Sequence, residues 1–295
     1  MRAVPTFMLI IWVLAVLSLT GIYLYQASES RVIRVATTTS LYATGLLDYL
    51  SDRFQERHPG VEVRFIAVGS GEALRRAAMG DADLVLVHAP SLEKEYLARG
   101  VLLDGEIIAY NSFAIVGPGD DPAGVRGAGG LEALRRIYDA GEKGMAVFVS
   151  RGDRSGTHVR EMALWRLAGL DPSGRPWYVE AGAGMAQTLM IADEKKAYTL
   201  SDIGTYLKFR ERLPSLEIMV EEGDLLMNIY SVYLVGVPGA RAELARVFMS
   251  FLTSEEGQSL IGGYGVEEFG RPLFKPAYGD PEGRLKQAWE KLAEL

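Results

Sequence analysis

Residues 32–40 read Val-Ile-Arg-Val-Ala-Thr-Thr-Thr-Ser, an apolar segment that passes directly into four hydroxyl side chains. The apolar part predicts a short strand, and the apolar residues within 46–54 then recur at helical spacing. Two further strands are predicted at residues 61–67 and 83–88, with a helix at residues 72–79 between them. Strands and helices that alternate in this order imply a parallel sheet with helices on both faces.

A second series of strands and helices follows without a long linker. Its apolar runs at residues 107–116 and 229–237 predict long strands that cross between two lobes. We therefore predict an α/β fold in which residues 31–109 and 228–295 form lobe I and residues 110–227 form lobe II. Because ligands of open α/β sheets bind at the carboxyl ends of the strands, the cleft between the lobes is the expected site.

The N-terminal residues 1–30 are predicted to be either an uncleaved membrane anchor or a secretion signal. No charged residue occurs between Arg2 and Glu29. An apolar stretch of this length can span a bilayer, which takes ~20 residues, and this favours the anchor. The small residues Ala27 and Ser28 would permit cleavage of a signal. In both cases Arg2 stays on the inner side and the rest of the chain is extracytoplasmic.

Charge and composition exclude several classes of protein. The 295-residue chain has a net charge of -7, which argues against a nucleic-acid partner because such a partner requires a basic face. A small anion remains possible, since local dipoles and hydrogen bonds can hold it. The chain has no cysteine, so it has no disulfide, thiol nucleophile or cysteine metal cluster. The histidines are scattered at positions 58, 88 and 158, and we expect no protein-bound metal cation.

The segment 150–157, Ser-Arg-Gly-Asp-Arg-Ser-Gly-Thr, lies between a predicted strand and a predicted helix. A helix start offers unpaired N–H groups and the positive end of the helix dipole, and an arginine adds donors that suit an oxyanion. The turns at 37–40 and 69–71 have the same character. Each hydroxyl taken singly would be an ordinary helix cap. Together the three turns predict a site for a fully deprotonated tetrahedral dianion, lined by Thr38, Thr39, Ser40, Ser70, Arg151, Ser155, Gly156 and Thr157.

This series of motifs resembles the tungstate-binding substrate-binding proteins of ABC importers, the Tup type. The resemblance extends from residue 32 to about residue 273 and is carried by residues 37–47, 68–74, 80–90, 110–113, 150–158 and 197–200. It implies a two-lobed, periplasmic-binding-protein-like fold of type II, hinged around a buried oxyanion. The partners that it implies are a membrane permease and the ATPase that drives it. Tungstate would then be the transported ligand, and no cofactor is expected.

The resemblance also implies roles for individual residues. The family's threonine–serine motif falls on residues 37–40, its binding arginine on Arg151 and its helix-start donors on residues 155–157. It adds Thr199 as a further contact with the ligand. The chain differs from the family at Ile229, where the expected Asn-Pro-Tyr is Asn-Ile-Tyr, so the hinge-side contact there is left open.

Other interpretations remain open at the level of sequence. Residues 151–157 also resemble the phosphate-binding proteins of ABC importers, in which an aspartate accepts the proton of hydrogen phosphate. Asp153 would either do this or brace Arg151, and we favour the brace. Molybdate matches tungstate in size and charge, so the residues do not separate these two ligands.

Two further interpretations concern the class of protein. A serine hydrolase would use Ser155 as nucleophile and His158 as base, but no orienting acid or oxyanion hole is visible, and we expect no catalytic residue. An anchored sensor protein would have the same ligand-binding lobes without an import function.

Overall fold

The computed structural model describes residues 12, 14–18, 31–221, 223–238, 241–278, 280 and 282–295. The predicted anchor or signal at residues 1–30 therefore lies almost entirely outside the described residues. Within these ranges, no helix has both the length and the apolar character needed to cross a membrane.

Strands and helices alternate along the chain, as the sequence predicts. The strands are β1 (Val32–Thr38), β2 (Glu62–Val68), β3 (Leu84–Val87), β4 (Leu102–Pro118), β5 (Phe148–Ser150), β6 (Tyr178–Glu180), β7 (Thr199–Asp202), β8 (Leu216–Val220), β9 (Met227–Val235) and β10 (Lys275–Pro276). The helices are α1 (Thr39–Ala43), α2 (Leu46–Arg57), α3 (Ser70–Ala78), α4 (Pro90–Ala98), α5 (Gly130–Glu142), α6 (Gly156–Leu167), α7 (Met185–Lys195), α8 (Ile203–Phe209), α9 (Ala242–Thr253), α10 (Glu255–Gly263), α11 (Val266–Phe269) and α12 (Arg284–Ala293).

The first three strands form the predicted parallel sheet. Strand β1 lies in the middle and pairs in parallel with β2 on one side and with β3 on the other. The sheet does not stay parallel, because β9 pairs antiparallel with β3, and β4 pairs antiparallel with β9. The sheet is therefore mixed, and its antiparallel part is built from the long strands that follow the first three units.

Strand β4 joins two parts of the molecule. Its residues 102–112 pair with β9, whereas residues 113–118 pair with β7 and β8 in a separate ladder. At about 3.3 Å per residue, its 17 residues extend for about 50 Å. Strand β9 was also predicted to cross between lobes, but its partners in the described sheet are β3 and β4.

The apolar core consists of several buried clusters, and the one around Phe54 also includes Val116 and Leu189 from the other part of the molecule. Leucine, valine and phenylalanine side chains from β1, α2, β9 and α9 are fully buried around Phe54 and Phe248, whose rings lie 4.9 Å apart. On the other side, Trp165 of α6 packs edge-on against Phe148 at 5.2 Å. This contact packs α6 against β5.

Candidate functional site

Four helices begin at or near the carboxyl ends of strands, on the two sides of one region. Helix α1 follows β1 directly, and α3 begins at Ser70, two residues after β2 ends. On the other side, α6 begins at Gly156 after the loop that leaves β5, and α7 begins at Met185 after the loop that leaves β6. The N-terminal N–H groups of a helix have no partner within the helix, so each start supplies donors.

The hydroxyl groups of the first turn are partly used to hold the turn itself. Thr38 is the N-cap of α1, and its Oγ1 accepts a hydrogen bond from the N–H of Leu41 at 3.2 Å. The same Oγ1 lies 3.3 Å from the Oγ of Ser40. Thr39 is half-buried, whereas Thr38 and Ser40 are buried. This short helix is therefore fixed by its own cap, as expected for a hydroxyl residue at a helix start.

Arg151 is 2% exposed and is held by Asp153. Its Nη2 donates to the Oδ2 of Asp153 at 2.5 Å, and the other carboxylate oxygen, Oδ1, accepts from the N–H of Ser155 at 3.1 Å. Both oxygens of Asp153 are thus engaged, one by the guanidinium and one by the helix start. The Oγ of Ser155 caps α6 by accepting from the N–H of His158 at 3.3 Å.

The two sides of the site are in direct contact. The Nη2 of Arg151 lies 3.4 Å from the Oγ1 of Thr39. A Cβ placed on Gly156 would lie 2.9 Å from the Oγ of Ser70 and 2.9 Å from the carbonyl oxygen of His88. Because real Cβ atoms do not approach other atoms so closely, the start of α6 can pack here only as glycine. A Cβ on Gly184, the N-cap of α7, would lie 3.7 Å from the Oγ1 of Thr39.

Several donors in this region are buried and have no hydrogen-bond partner among the residues that the structure describes. They are the Nε and Nη1 of Arg151, the Oγ of Ser70, and the Oγ1 atoms of Thr157 and Thr199. A buried polar group without a partner is costly, at ~1–3 kcal/mol for a neutral group and more for a charged one. Such a cluster, with one permanent positive charge, indicates a ligand that accepts hydrogen bonds from several directions.

Comparison with known proteins identifies the family. The model of the PBP superfamily domain matches residues 25–256. The tungstate-binding protein TupA of Peptoclostridium acidaminophilum is 42% identical over 274 residues, which are 88% of this chain and 93% of that protein. The chain belongs to the PBP superfamily and, within it, to the TupA family.

Solved structures of the family agree with this assignment. The tungstate ABC transporter structure from Geobacter sulfurreducens is 41% identical to this chain and has a TM-score of 0.70. The match covers 79% of this chain and 98% of the chain in that structure. The tungstate-binding protein TupA from Desulfovibrio alaskensis G20 is 40% identical with the same TM-score, and it covers 83% of this chain and 98% of its own. The resemblance predicted from the motifs is thereby confirmed. These relatives are named as binding or transport proteins, which confirms the prediction that the chain is not an enzyme.

Sequence reasoning missed a hydrogen-bond network of buried polar side chains that begins at Ser40 of α1. The Nε2 of His88 lies 3.3 Å from the Oγ of Ser40, and its Nδ1 lies 2.9 Å from the Oδ1 of Asn228. Asn228 in turn donates through Nδ2 to the Oδ1 of Asn111 at 3.0 Å and to the hydroxyl of Tyr230 at 2.7 Å. Asn228 and Tyr230 are the two residues of the Asn-Ile-Tyr segment that match the family's pattern, and both belong to this hydrogen-bond network.

Burial keeps the imidazole of His88 neutral. Desolvation lowers the pKa of His88 to about 4, and the hydrogen bond with Asn228 offsets this only in part. The positive charges of Arg151 and Arg160 lower it further. Near pH 7 the ring therefore carries one proton and adds no charge to the site.

A buried carboxyl group, that of Asp202, lies at the start of α8. The carboxyl of Asp202 caps α8 by accepting from the N–H of Thr205 at 2.8 Å, as its position before that helix predicts. Burial raises the pKa of Asp202, and the charge of Arg151 opposes this rise. The hydroxyl of Thr205 also lies 3.4 Å from the carbonyl oxygen of Ser40. Helix α8 is thus in contact with α1.

Proposed function

We propose that the chain captures tungstate between its two lobes and delivers it to an ABC permease that an ATPase drives. The observation that carries this proposal is the cluster of buried, unpartnered donors on Ser70, Arg151, Thr157 and Thr199. A fully deprotonated tetrahedral oxyanion accepts hydrogen bonds at all four oxygens and donates none, so it suits a wall made of donors. The names of the TupA relatives support the choice of tungstate.

The proposed ligand-binding residues act in two ways. Ser70, Arg151, Thr157 and Thr199 would donate through side-chain atoms that have no partner within the described part of the chain. Thr38 and Ser155 use their hydroxyls as helix caps and would support the N–H groups of α1 and α6. The full proposed set is Thr38, Thr39, Ser40, Ser70, Arg151, Ser155, Gly156, Thr157 and Thr199.

The position of Asp153 favours tungstate or molybdate over hydrogen phosphate. A carboxylate that already accepts a hydrogen bond at both oxygens is less available to the proton of a protonated anion, although each oxygen keeps a second lone pair. In this chain Oδ2 is bonded to Arg151 and Oδ1 to the N–H of Ser155. Asp153 therefore acts as the brace of Arg151, which supports the preference stated from the sequence.

The hydrolase interpretation finds no support in the geometry. A serine nucleophile needs a base within hydrogen-bond reach of its hydroxyl. The Nδ1 of His158 instead accepts from the N–H of Arg154 at 2.9 Å, while the Oγ of Ser155 accepts from the N–H of His158. The side chain of His158 thus stabilises the loop at Arg154, and the side chain of Ser155 stabilises the start of α6.

Capture would take place outside the cytoplasm by closure of two lobes. The proposed lobes are residues 31–109 with 228–295 and residues 110–227, and the long strand β4 runs through both of them. The proposed ligand groups are almost fully buried, at 0% exposure for Ser70 and 2% for Arg151. An anion could reach them only if the lobes separate. The apolar segment before Glu29 supports export, with a membrane anchor preferred over a cleaved signal.

Calorimetry on the exported part tests this function. Tungstate should bind and raise the melting temperature. By mass action, binding should stabilise the folded state by ~2.7 kcal/mol at a ligand concentration of about 100 times Kd. Molybdate, phosphate and sulfate, measured in competition, rank the anions. The proposal fails if no tetrahedral oxyanion gives a heat of binding or a shift in melting temperature.

A further inference from the structure

The hydrogen bonds of His88 define which of its ring nitrogens carries the proton. Asn228 donates through Nδ2 to both Asn111 and Tyr230, so its Oδ1 is the acceptor that faces His88. The Nδ1 of His88 must therefore be the protonated nitrogen, and its Nε2 carries a lone pair. Ser40, whose Oγ lies 3.3 Å from Nε2 and 3.3 Å from the Oγ1 of Thr38, can therefore only donate to His88 and cannot accept a hydrogen bond from it.

This arrangement conflicts with the binding of an anion at Ser40. A serine hydroxyl has one proton and cannot donate to His88 and to an oxyanion at the same time. With the proton turned toward His88, the side of Ser40 that is left free presents lone pairs, which repel a negative oxygen. The conflict disappears if Nε2 also carries a proton, because His88 then donates to Ser40 and Ser40 donates to the anion.

We propose that capture of the dianion is coupled to the uptake of one proton by His88, with Ser40 as the link between the ring and the anion. This inference rests on the proposed function of the site. The proton comes from the solvent buffer and adds to Nε2, and no other bond forms or breaks. The product is an imidazolium that donates from Nδ1 to Asn228 and from Nε2 to Ser40.

The surroundings of His88 support such a change of charge. Its ring is 2% exposed, stacks on Tyr230 at 5.0 Å between centroids and lies 6.0 Å from Phe113. The charged groups that act on the ring are Arg151 and Arg160, both cationic, and they favour the neutral form while no anion is bound.

A dianion would reverse the balance of charge around the ring. Asp202, whose charge acts on the adjacent Tyr230, is itself buried with a raised pKa. Asp153 is neutralised by its ion pair with Arg151. These two acids therefore contribute little net negative charge near the ring, whereas a dianion between the lobes would bring two negative charges. Because a nearby opposite charge favours the ionised form of a group, the pKa of His88 should rise when the anion binds.

Calorimetry in buffers of different ionisation enthalpy measures the proton uptake directly. At about pH 5.5, which is above the free pKa of His88 of about 4, tungstate binding to the wild-type protein should take up a large fraction of one proton per anion. His88→Gln replaces the ring with a neutral amide that has a donor and an acceptor but does not titrate. This variant should bind more weakly and with no proton uptake. His58→Gln is the matched control, since His58 lies at the end of α2, and it should behave like the wild type.

The outcomes separate this inference from the proposed function. Binding without proton uptake in the wild type, or uptake that persists in His88→Gln, would overturn the role of His88 and leave tungstate binding intact. A wild-type protein that does not bind tungstate would overturn the function itself. Should His88→Gln fail to fold, nitrogen NMR of the wild-type protein decides. His88 should be the Nδ1–H tautomer when free and an imidazolium in the complex, and a neutral ring in the complex refutes the proposal.

Discussion

At the scale of single residues, Arg151 combines a permanent positive charge with almost complete burial at the site. Its Nε and Nη1 have no partner in the described ranges of the chain, while Nη2 donates to Asp153 and lies near Thr39. We expect Arg151→Ala to weaken tungstate binding by ~1.5–3 kcal/mol, which is the usual range for a charged hydrogen bond. This corresponds to a roughly tenfold to 150-fold rise in Kd.

The matched control for this change is Arg166→Ala. Arg166 lies on the exposed side of α6 and donates to the carbonyl oxygen of Leu295, away from the site. Its removal should leave Kd unchanged. Calorimetry of both variants decides the point, and wild-type affinity in Arg151→Ala would contradict the assigned site.

The sequence predicted the hydrogen-bond donors of the site better than the buried polar side chains that hold those donors in place. Hydroxyl, glycine and arginine residues at helix starts are neighbours in the chain, so a local pattern indicates them. His88, Asn111 and Asn228 act together, but 140 residues separate His88 from Asn228. No local signal joins residues so far apart, and only the pairing of β3 with β9 brings them together.

At the scale of elements, the start of α6 is packed against the first part of the chain through Gly156. A Cβ at this position would lie 2.9 Å from Ser70 and from the backbone of His88. Gly156→Ala should therefore push α6 away from α3, and overpacking of this kind costs ~1–3 kcal/mol. We expect Kd for tungstate to rise about tenfold.

Gly129→Ala tests whether this effect is specific. Gly129 also stands at a helix start, as the N-cap of α5, but a Cβ there meets no atom within 4 Å. It should change Kd little. Equal Kd values for the two variants, measured by calorimetry, would show that the contact between α6 and α3 does not limit binding.

The elements themselves were largely readable from periodicity. The predicted strand at residues 107–116 lies within β4, and the helix expected after Thr157 is α6. Helix α1 was not foreseen, since its five residues are too few to show a 3.6-residue period. The antiparallel position of β9 depends on tertiary pairing, which the apolar pattern of a buried strand does not encode.

At the scale of the whole molecule, buried acids make the stability of the fold depend on pH. Glu161 of α6 accepts hydrogen bonds from Ser150 at 2.7 Å, from Tyr178 at 2.7 Å and from Trp165 at 3.2 Å. Burial raises the pKa of Glu161 from 4.5 to about 7, and these hydrogen bonds offset only part of the shift. Between these two values the folded state holds a proton that the unfolded state has lost. Stability is therefore lost as the pH rises through this window.

Glu161→Gln should remove this contribution to the pH dependence. Its amide cannot ionise. Its oxygen can accept from Tyr178 and Trp165 while its N–H faces the hydroxyl of Ser150, as a protonated carboxyl group would, so we expect a melting temperature close to that of the wild type at pH 4.5. Relative to the wild type, the variant should then gain up to about tenfold per pH unit in its folding equilibrium constant as the pH rises to about 7. Contributions of other buried groups, including the opposite one of His88, cancel in this difference. Urea denaturation of both ligand-free proteins across the window measures it, and a difference that stays constant with pH would mean that Glu161 is already ionised in the folded protein.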